Sequence, residues 1–302
     1  WRGINDPYKI WLSEVMLQQT RVLSVLFYYQ RWLAKFPDIK SVAKAEIDLV
    51  LKHWEGLGYY ARARNFHKAC KIIMDKYSGK IPSDPDEFFK LPGVGPYISS
   101  AVMSIAYQYP YLAVDGNAVR IISRMKSINL PFPKNKKMIR SALLNLISKQ
   151  NPGDFNQAIM DLGREICTPK KPKYTECPVT KYCSAYVNKT LDKYPVTMKK
   201  GPKPHYNIAV GIIWNNDQIL VSKRKNSGLL GGLWEFPCGK IKKGENAWRC
   251  IVRKTKDKMD IVILPKIHLK QIKHIYTHFS ITMDAYHCNF VEGSPKTFCY
   301  AD

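Results

Sequence analysis

The chain has 302 residues, 45% of them hydrophobic and 24% charged, which gives room for two domains with proper cores and excludes a disordered chain. Lys and Arg number 48 against 24 acids, a formal charge of +24 with an isoelectric point near 9.6, so the partner to expect is a polyanion. The sequence carries no signal peptide, lipidation motif or apolar run of transmembrane length, so nucleic acid is a better match than a membrane surface. Eight cysteines without a secretory signal point to a reducing compartment rather than a disulfide framework. Opening on Trp1 and closing on Asp302 without a cap signal, the chain is expected to be a fragment of a longer protein.

From residue 11 to about 35, Trp11, Val15, Leu23, Leu26, Phe27 and Leu33 recur at helical spacing and predict one or two amphipathic helices. Glu14 lies among them, where an acid is ordinarily a solvated face residue and becomes chemical only beside a second acid. Ser41 reads as the cap of a further helix to about residue 54, which Gly56-Leu57-Gly58-Tyr59-Tyr60 interrupts. Two tyrosines followed by Arg62 and Arg64 make an aromatic tip with cationic neighbours; that composition suits a wedge into a base stack, and equally suits packing. The next helix spans about 61–77, with Ala63, Phe66, Cys70 and Ile73 on one stripe.

Leu91-Pro92-Gly93-Val94-Gly95 follows as a turn between helices. Pro92 blocks helix continuation and the two glycines permit positive φ, so backbone N–H groups can point outward together toward a phosphate. The helix from about 97 to 107 adds the positive end of its dipole to the same spot. Taken alone, such a turn is as readily an ordinary corner. Asp115-Gly116-Asn117 opens the next helix with Asp115 as N-cap, and helices continue over about 139–147 and 156–167 with Pro152-Gly153 between them. To about residue 189 everything reads as helical. Cys167, Cys177 and Cys183 cluster, whereas Cys70, Cys238, Cys250, Cys288 and Cys299 are scattered and read as small buried hydrophobes.

KYPVTMKKGPKP, residues 193–204, reads as a basic, semi-extended linker between a helical domain at 1–192 and a second domain at 205–302 cut short at its C-terminus. Beyond it the period changes. Ile208, Val210 and Ile212 alternate, Asn215-Asn216-Asp217 turns the chain, and 219–223 returns as a second strand. A helix over about 245–258 and alternation over 276–286 make this domain α+β.

WLSEVMLQQT (residues 11–20), GLGYYARARN, LPGVGPY, VDGN and FNQAIMDLG together closely resemble the MutY-type adenine DNA glycosylases, over about residues 6–286. The resemblance implies an all-α helix-hairpin-helix glycosylase domain, its hairpin at 91–95, followed by an α+β Nudix-like domain. It implies excision of adenine opposite 8-oxoguanine or guanine, in duplex DNA, by a monomer acting inside the cell: in the cytoplasm and on the nucleoid in a bacterium, in the nucleus in a eukaryote.

Residue by residue, Glu14 matches the family's general acid, which protonates adenine N7; its apolar surroundings are expected to favour the neutral form. Asp115 matches the carboxylate that stabilises the cationic sugar. Tyr97 and Asn117 match residues that hydrogen-bond this second acid, a division of labour like that of glycoside hydrolases. Leu91, Gly93, Val94 and Gly95 match the DNA-binding hairpin, and Gln19 and Tyr59 match residues that enter the base stack near the lesion. In the bifunctional endonuclease III branch a Lys stands at the position of Tyr97, so strand cutting through a Schiff base is not expected. A lyase and a catalytically silent lesion binder are the alternative readings.

The family usually carries four cysteines on a 4Fe-4S cluster. Cys167, Cys177 and Cys183 match three of them, with Tyr174 at the remaining position. Either a cluster with an unusual fourth ligand or an empty relic is consistent with that set, and no nucleotide cofactor is implied. In the second domain GLLGGLWEFPCGK (residues 228–240) is the most specific stretch, and Gly239, Glu245 and Arg253 keep part of a Nudix box. Lys254 and Lys258 stand where metal-binding glutamates are needed, so pyrophosphate hydrolysis is not expected. Tyr276, Thr277 and His278 match the family's Phe-Ser-His lesion-recognition loop; the alternative is a plain strand segment.

Overall fold

The computed structural model describes residues 3–198, 201–225 and 228–295, and the chain splits into two compact units, Trp1–Lys199 and Lys200–Asp302. Cys299 lies outside the described residues, as do two lysines of the basic linker.

In the first unit Asp6 accepts from the Tyr8 and Lys9 N–H groups and Pro7 takes the first helical position, which together start α1 (Pro7–Leu17). This helix is buried nearly all round, from Tyr8 through Met16, so it shows no single apolar stripe. α2 (Val22–Lys35) buries Val25, Tyr29 and Trp32. The stripe predicted through Leu23, Leu26 and Phe27 is a correction: these residues are exposed, Leu23 at 85% and Phe27 at 63%. Trp32 packs edge-on against Trp54 and donates through Nε1 to the Tyr8 hydroxyl (3.0 Å), which donates to the Phe36 carbonyl (2.7 Å).

The single helix expected from Ser41 is two: α3 (Ile39–Lys44) and α4 (Ile47–Trp54). Asp38 is the cap, accepting from the Ser41 N–H, while the Ser41 hydroxyl answers to the Asp38 backbone as a capping box. α5 (Ala61–Lys76) buries the anticipated stripe of Ala63, Phe66, Cys70 and Ile73. α6 (Pro85–Phe89) leads through the Leu91–Gly95 turn into α7 (Pro96–Tyr107). α8 (Gly116–Met125) and α9 (Lys136–Leu144) close a cluster of Leu112, Val119, Ile122, Ile128, Ile139 and Leu143. α10 (Pro152–Asp161) takes Pro152 at its first turn, where a linker was expected, and runs into a π-helical turn, Leu162–Ile166. The short α11 (Ser184–Val187) follows the cysteine loop. Among its described residues this unit contains no strand.

The second unit is a sheet with one helix. β1 (His205–Asn215) pairs with β2 (Gln218–Ile219); the short strands β3 (Ser222–Lys223) and β4 (Trp234–Glu235) pair apart, with Arg224 bonded to Glu235; β5 (Cys238–Lys240) returns along β1. α12 (Ala247–Met259) is capped by Asn246, so Glu245, expected as its first residue, lies just outside it. β6 (Ile261–Ile275) and β7 (Ser280–Gly293) form a long antiparallel hairpin, and β7 runs parallel to β1, giving the order β2-β1-β7-β6.

Three expectations change here. The more deeply buried face of β1 is Ala209, Gly211 and Ile213, not the half-buried Ile208, Val210 and Ile212, because Gly211 admits the Ile251 side chain of α12 (a Cβ there would meet it at 2.8 Å). Residues 219–223 divide between β2 and β3 instead of forming one strand. Finally, 276–279 turn the chain and β7 begins only at Ser280, so Tyr276, Thr277 and His278 lie in a loop and not in a strand.

Candidate active site

Glu14 is carried by the buried α1 and is 2% exposed. Its Oε2 accepts a hydrogen bond from the Tyr97 hydroxyl (2.9 Å), which also lies 3.7 Å from the Met160 sulfur. A buried carboxyl on an otherwise apolar helix is costly unless a polar group meets it, and Tyr97, near the start of α7, does so. Tyr97 was expected at the second acid. Its described hydrogen bond is to the first.

Asp115 caps α8. Oδ1 accepts from the Ala118 N–H (2.8 Å) and Oδ2 from the Asn117 side-chain amide (2.7 Å). Both oxygens thus serve as acceptors, the role of a carboxylate. Behind them, Arg120 donates to Asn117 Oδ1 (2.7 Å), to the Gly163 carbonyl (2.7 Å) and to the Cys167 carbonyl (2.7 Å). Gly163 is glycine for space: a Cβ there would stand 2.4 Å from the Asn117 Cβ. Asn156 fixes the loop before Asp115, accepting from the Ala113 N–H and donating to the Tyr111 carbonyl and the Ser104 hydroxyl.

The segment 155–163 therefore touches both acids, Met160 through Tyr97 and Gly163 through Asn117. FNQAIMDLG was legible as a motif, yet the supporting parts of Asn156, Met160 and Gly163, and that of Arg120, were not assigned from it. Apart from the Arg120 bonds to Asn117 and Gly116, their partners are about 40 or more residues away in sequence.

At the Leu91–Gly95 turn only Gly93 has positive φ (+80°); Gly95 is extended (φ −92°, ψ 178°) and precedes α7 directly. Leu91 and Val94 are buried, and the Val94 N–H is taken by the Leu91 carbonyl (3.1 Å), so this one N–H of the turn does not point outward as expected. What the turn can offer an anion is the N–H groups of the first turn of α7.

Gln19 and Tyr59 are both exposed and both left-handed (φ 56° and 50°), conformations that cost an L residue about 1–2 kcal/mol each. α12 carries Lys254 where a Nudix metal site needs an acid. The Lys254 stem lies over Gly239, where a Cβ would meet its Cγ at 2.3 Å, and Glu245 is held by Arg253 through two bonds of 2.7 Å. That pairing lowers the Glu245 carboxyl to about 2.

Cys167, Cys177, Cys183 and Tyr174 line one cavity, with Arg124 donating to Cys167 Sγ (3.3 Å). Among the described residues no three metal-binding side chains are close enough to hold one ion. Three thiols spread around a cavity suit three corners of a polynuclear cluster. The fourth corner does not fit: the Tyr174 ring packs on Tyr186 (5.3 Å), and burial pushes its phenol up, away from the anionic form a ligand needs.

The fold defines the class. The model of the HhH-GPD superfamily of base excision DNA repair proteins matches residues 12–149, and a NUDIX domain model matches 209–300. A thermostable thymine-DNA glycosylase superposes with a TM-score of 0.57 at 30% identity, covering 62% of this chain and 88% of that one. An endonuclease III trapped on DNA, 24% identical with a TM-score of 0.55, shares the fold over 62% of this chain and 87% of its own.

Among curated relatives, the adenine DNA glycosylase of Buchnera aphidicola subsp. Schizaphis graminum is 34% identical over 93% of this chain and 80% of its own length. Those of Schizosaccharomyces pombe and Homo sapiens are 35% and 29% identical, over 81% and 96% of this chain, which spans 62% of the length of each. The chain belongs to the adenine DNA glycosylase family.

Proposed function

We propose that the chain removes adenine opposite 8-oxoguanine, or opposite guanine, from duplex DNA by hydrolysis alone. The observation that carries this reading is the pair of acids linked through residues 155–163: Glu14 on Tyr97, and Asp115 on Asn117 and the α8 cap. Glu14 donates a proton to N7 of the extruded adenine, which makes the base a leaving group. As the bond from C1′ to N9 breaks, Asp115 stabilises the cationic sugar. Water then adds its hydroxyl to C1′, and its proton replaces the one that Glu14 gave to the base. Asn117 and Arg120 hold Asp115 in place, and the Tyr97 hydroxyl orients Glu14.

The bifunctional alternative requires an amine where Tyr97 stands. Incubation with a duplex carrying adenine opposite 8-oxoguanine should yield strand breaks only after alkali, and borohydride should trap no covalent adduct. An efficient adduct mapped to one lysine defeats the hydrolysis-only reading, and intact DNA after alkali favours the silent binder.

The second unit, on this proposal, recognises and does not react. Thr277 and His278 are exposed in the turn between β6 and β7, which is braced by the Tyr276 N–H on the Phe279 carbonyl (2.8 Å) and by Tyr276 packing between His274 and Phe279. A hydroxyl and an imidazole side by side suit the extra carbonyl and N–H of 8-oxoguanine. Replacing both by Ala should reduce the preference for 8-oxoguanine over guanine about tenfold or more, at about 1–3 kcal/mol per polar contact, with excision retained. An unchanged preference moves lesion reading to Gln19 and Tyr59.

A 4Fe-4S cluster, where bound, would rest on Cys167, Cys177 and Cys183 and serve the loop, with no step of the chemistry passing through it. Because Tyr174 is a poor fourth ligand, anaerobically prepared protein is expected to hold well under about four irons per chain and still excise adenine. Brown protein with a full complement of iron refutes this. The partner is double-stranded DNA and the acting form a monomer, inside the cell. No described helix is long and apolar enough to cross a membrane.

A further inference from the structure

Arg62 opens α5 and is 9% exposed, yet no carboxylate is among its described hydrogen-bond or ion-pair partners. Its guanidinium is spent on oxygens from two separate segments. Nη1 donates to the carbonyls of Val15 (3.0 Å), Met16 (2.8 Å) and Gln18 (2.6 Å), at the end of α1 where carbonyls lack partners within the helix. Nη2 donates to the Thr20 hydroxyl (3.2 Å) and to the carbonyls of Leu57 (3.1 Å) and Gly58 (3.0 Å). The same group lies over the rings of Trp54 and Tyr59, 5.2 and 5.5 Å from their centroids.

The residues flanking Gln19 on both sides and the two that precede Tyr59 are thus bonded to one planar, five-donor group. Gln19 and Tyr59 are themselves in left-handed conformations, which side-chain-bearing residues hold only where their surroundings over-determine the backbone. Burial lowers the Arg62 pKa to about 10, so the charge persists at neutral pH and remains a cost. A buried cation without a counter-ion is a poor device for stability alone. Its fork geometry is what an apolar residue of equal volume does not replace.

We propose that Arg62 is a positioning residue that fixes the spacing and pose of Gln19 and Tyr59 as one unit for insertion into the DNA base stack. This rests on the reading of those two residues as the stack-entering pair. A Lys at this position offers one charged point instead of a fork, so Arg62→Lys is expected to lose most of the effect with charge retained.

The test is a double-mutant cycle with single-turnover excision and the fluorescence of a 2-aminopurine placed beside the 8-oxoguanine, which brightens on unstacking. Arg62→Met should cut the excision rate about 10- to 100-fold, the scale of a roughly 1 Å misplacement, and abolish the brightening. In a Gln19→Ala/Tyr59→Ala background the same substitution should change the rate by less than about twofold, since the pair it positions is gone. An equal loss in both backgrounds overturns the proposal, because Arg62 then acts on something else. If Gln19→Ala/Tyr59→Ala alone leaves rate and fluorescence intact, the stack-entry reading fails first and the proposal falls with it. Should Arg62→Met not fold, Arg62→Lys carries the same comparison.

Discussion

Glu14→Gln is expected to abolish adenine release while duplex binding persists. The amide keeps the size of the carboxyl and an oxygen for the Tyr97 hydroxyl, which now donates over 2.9 Å, so packing around α1 should not change. It has no acidic proton to give. Loss of a general acid costs about 10²- to 10⁴-fold, and here departure of an unprotonated adenine is the only remaining route, so the upper end of that range is expected. On the proposed reading binding rests on phosphate contacts and insertion, which do not involve this side chain. Single-turnover excision beside an equilibrium binding curve checks both halves. A variant that keeps its rate within about threefold removes Glu14 from the role.

The second large effect concerns a residue that bears no chemistry. Gly163→Ala places a methyl 2.4 Å from the Asn117 Cβ and 2.9 Å from its Oδ1, on the segment whose carbonyl anchors Arg120. Overpacking of this kind costs about 1–3 kcal/mol. In a unit of this size that is a fall in Tm of roughly 2–4 °C for each kcal/mol. The methyl should also push Asn117 off Asp115, so excision is expected to fall about 100-fold. Removing the obstacle separates the two effects. In Gly163→Ala/Asn117→Gly, which takes away the Asn117 Cβ as well as its amide, the Tm should recover at least in part, whereas the rate should not. If Gly163→Ala leaves both Tm and rate unchanged, the chain from Arg120 through Asn117 to Asp115 does not hold the acid.

The hairpin turn and the Asp115 cap were legible because each sits in a short, contiguous pattern. Tyr97 was legible as a position, whereas its bond to Glu14 was not. A motif gives the residue, while its partner depends on how α7 lies against α1. Asn156 and Gly163 escaped for the same reason, as did the Arg120 bonds to Gly163 and Cys167, since these join segments about 40 or more residues apart.

In α1 the spacing of Trp11 and Val15 marked a helix but the expected polar face is missing, because the helix is enclosed on nearly every side. In α2 it misled: Leu23, Leu26 and Phe27 keep helical spacing yet face outward, while Tyr29 and Trp32 do the packing. β1 hid its buried face behind Ala209 and Gly211, whose small size is what lets α12 approach. β6 went unassigned although Lys266-Ile267-His268-Leu269-Lys270 alternates; most of its length is exposed, held by its ladder to β7 and not by burial.

Asp115 is at once the proposed catalytic carboxylate and the peg on which the first turn of α8 hangs. Two quantities that most enzymes keep apart are thereby joined. Whenever thermal motion frays that turn, the carboxylate loses its Ala118 partner and its aim together, so the fraction of molecules ready to act is the fraction in which one helix end is closed. Readiness here is a local folding equilibrium, and the chain can be folded everywhere else and still be switched off.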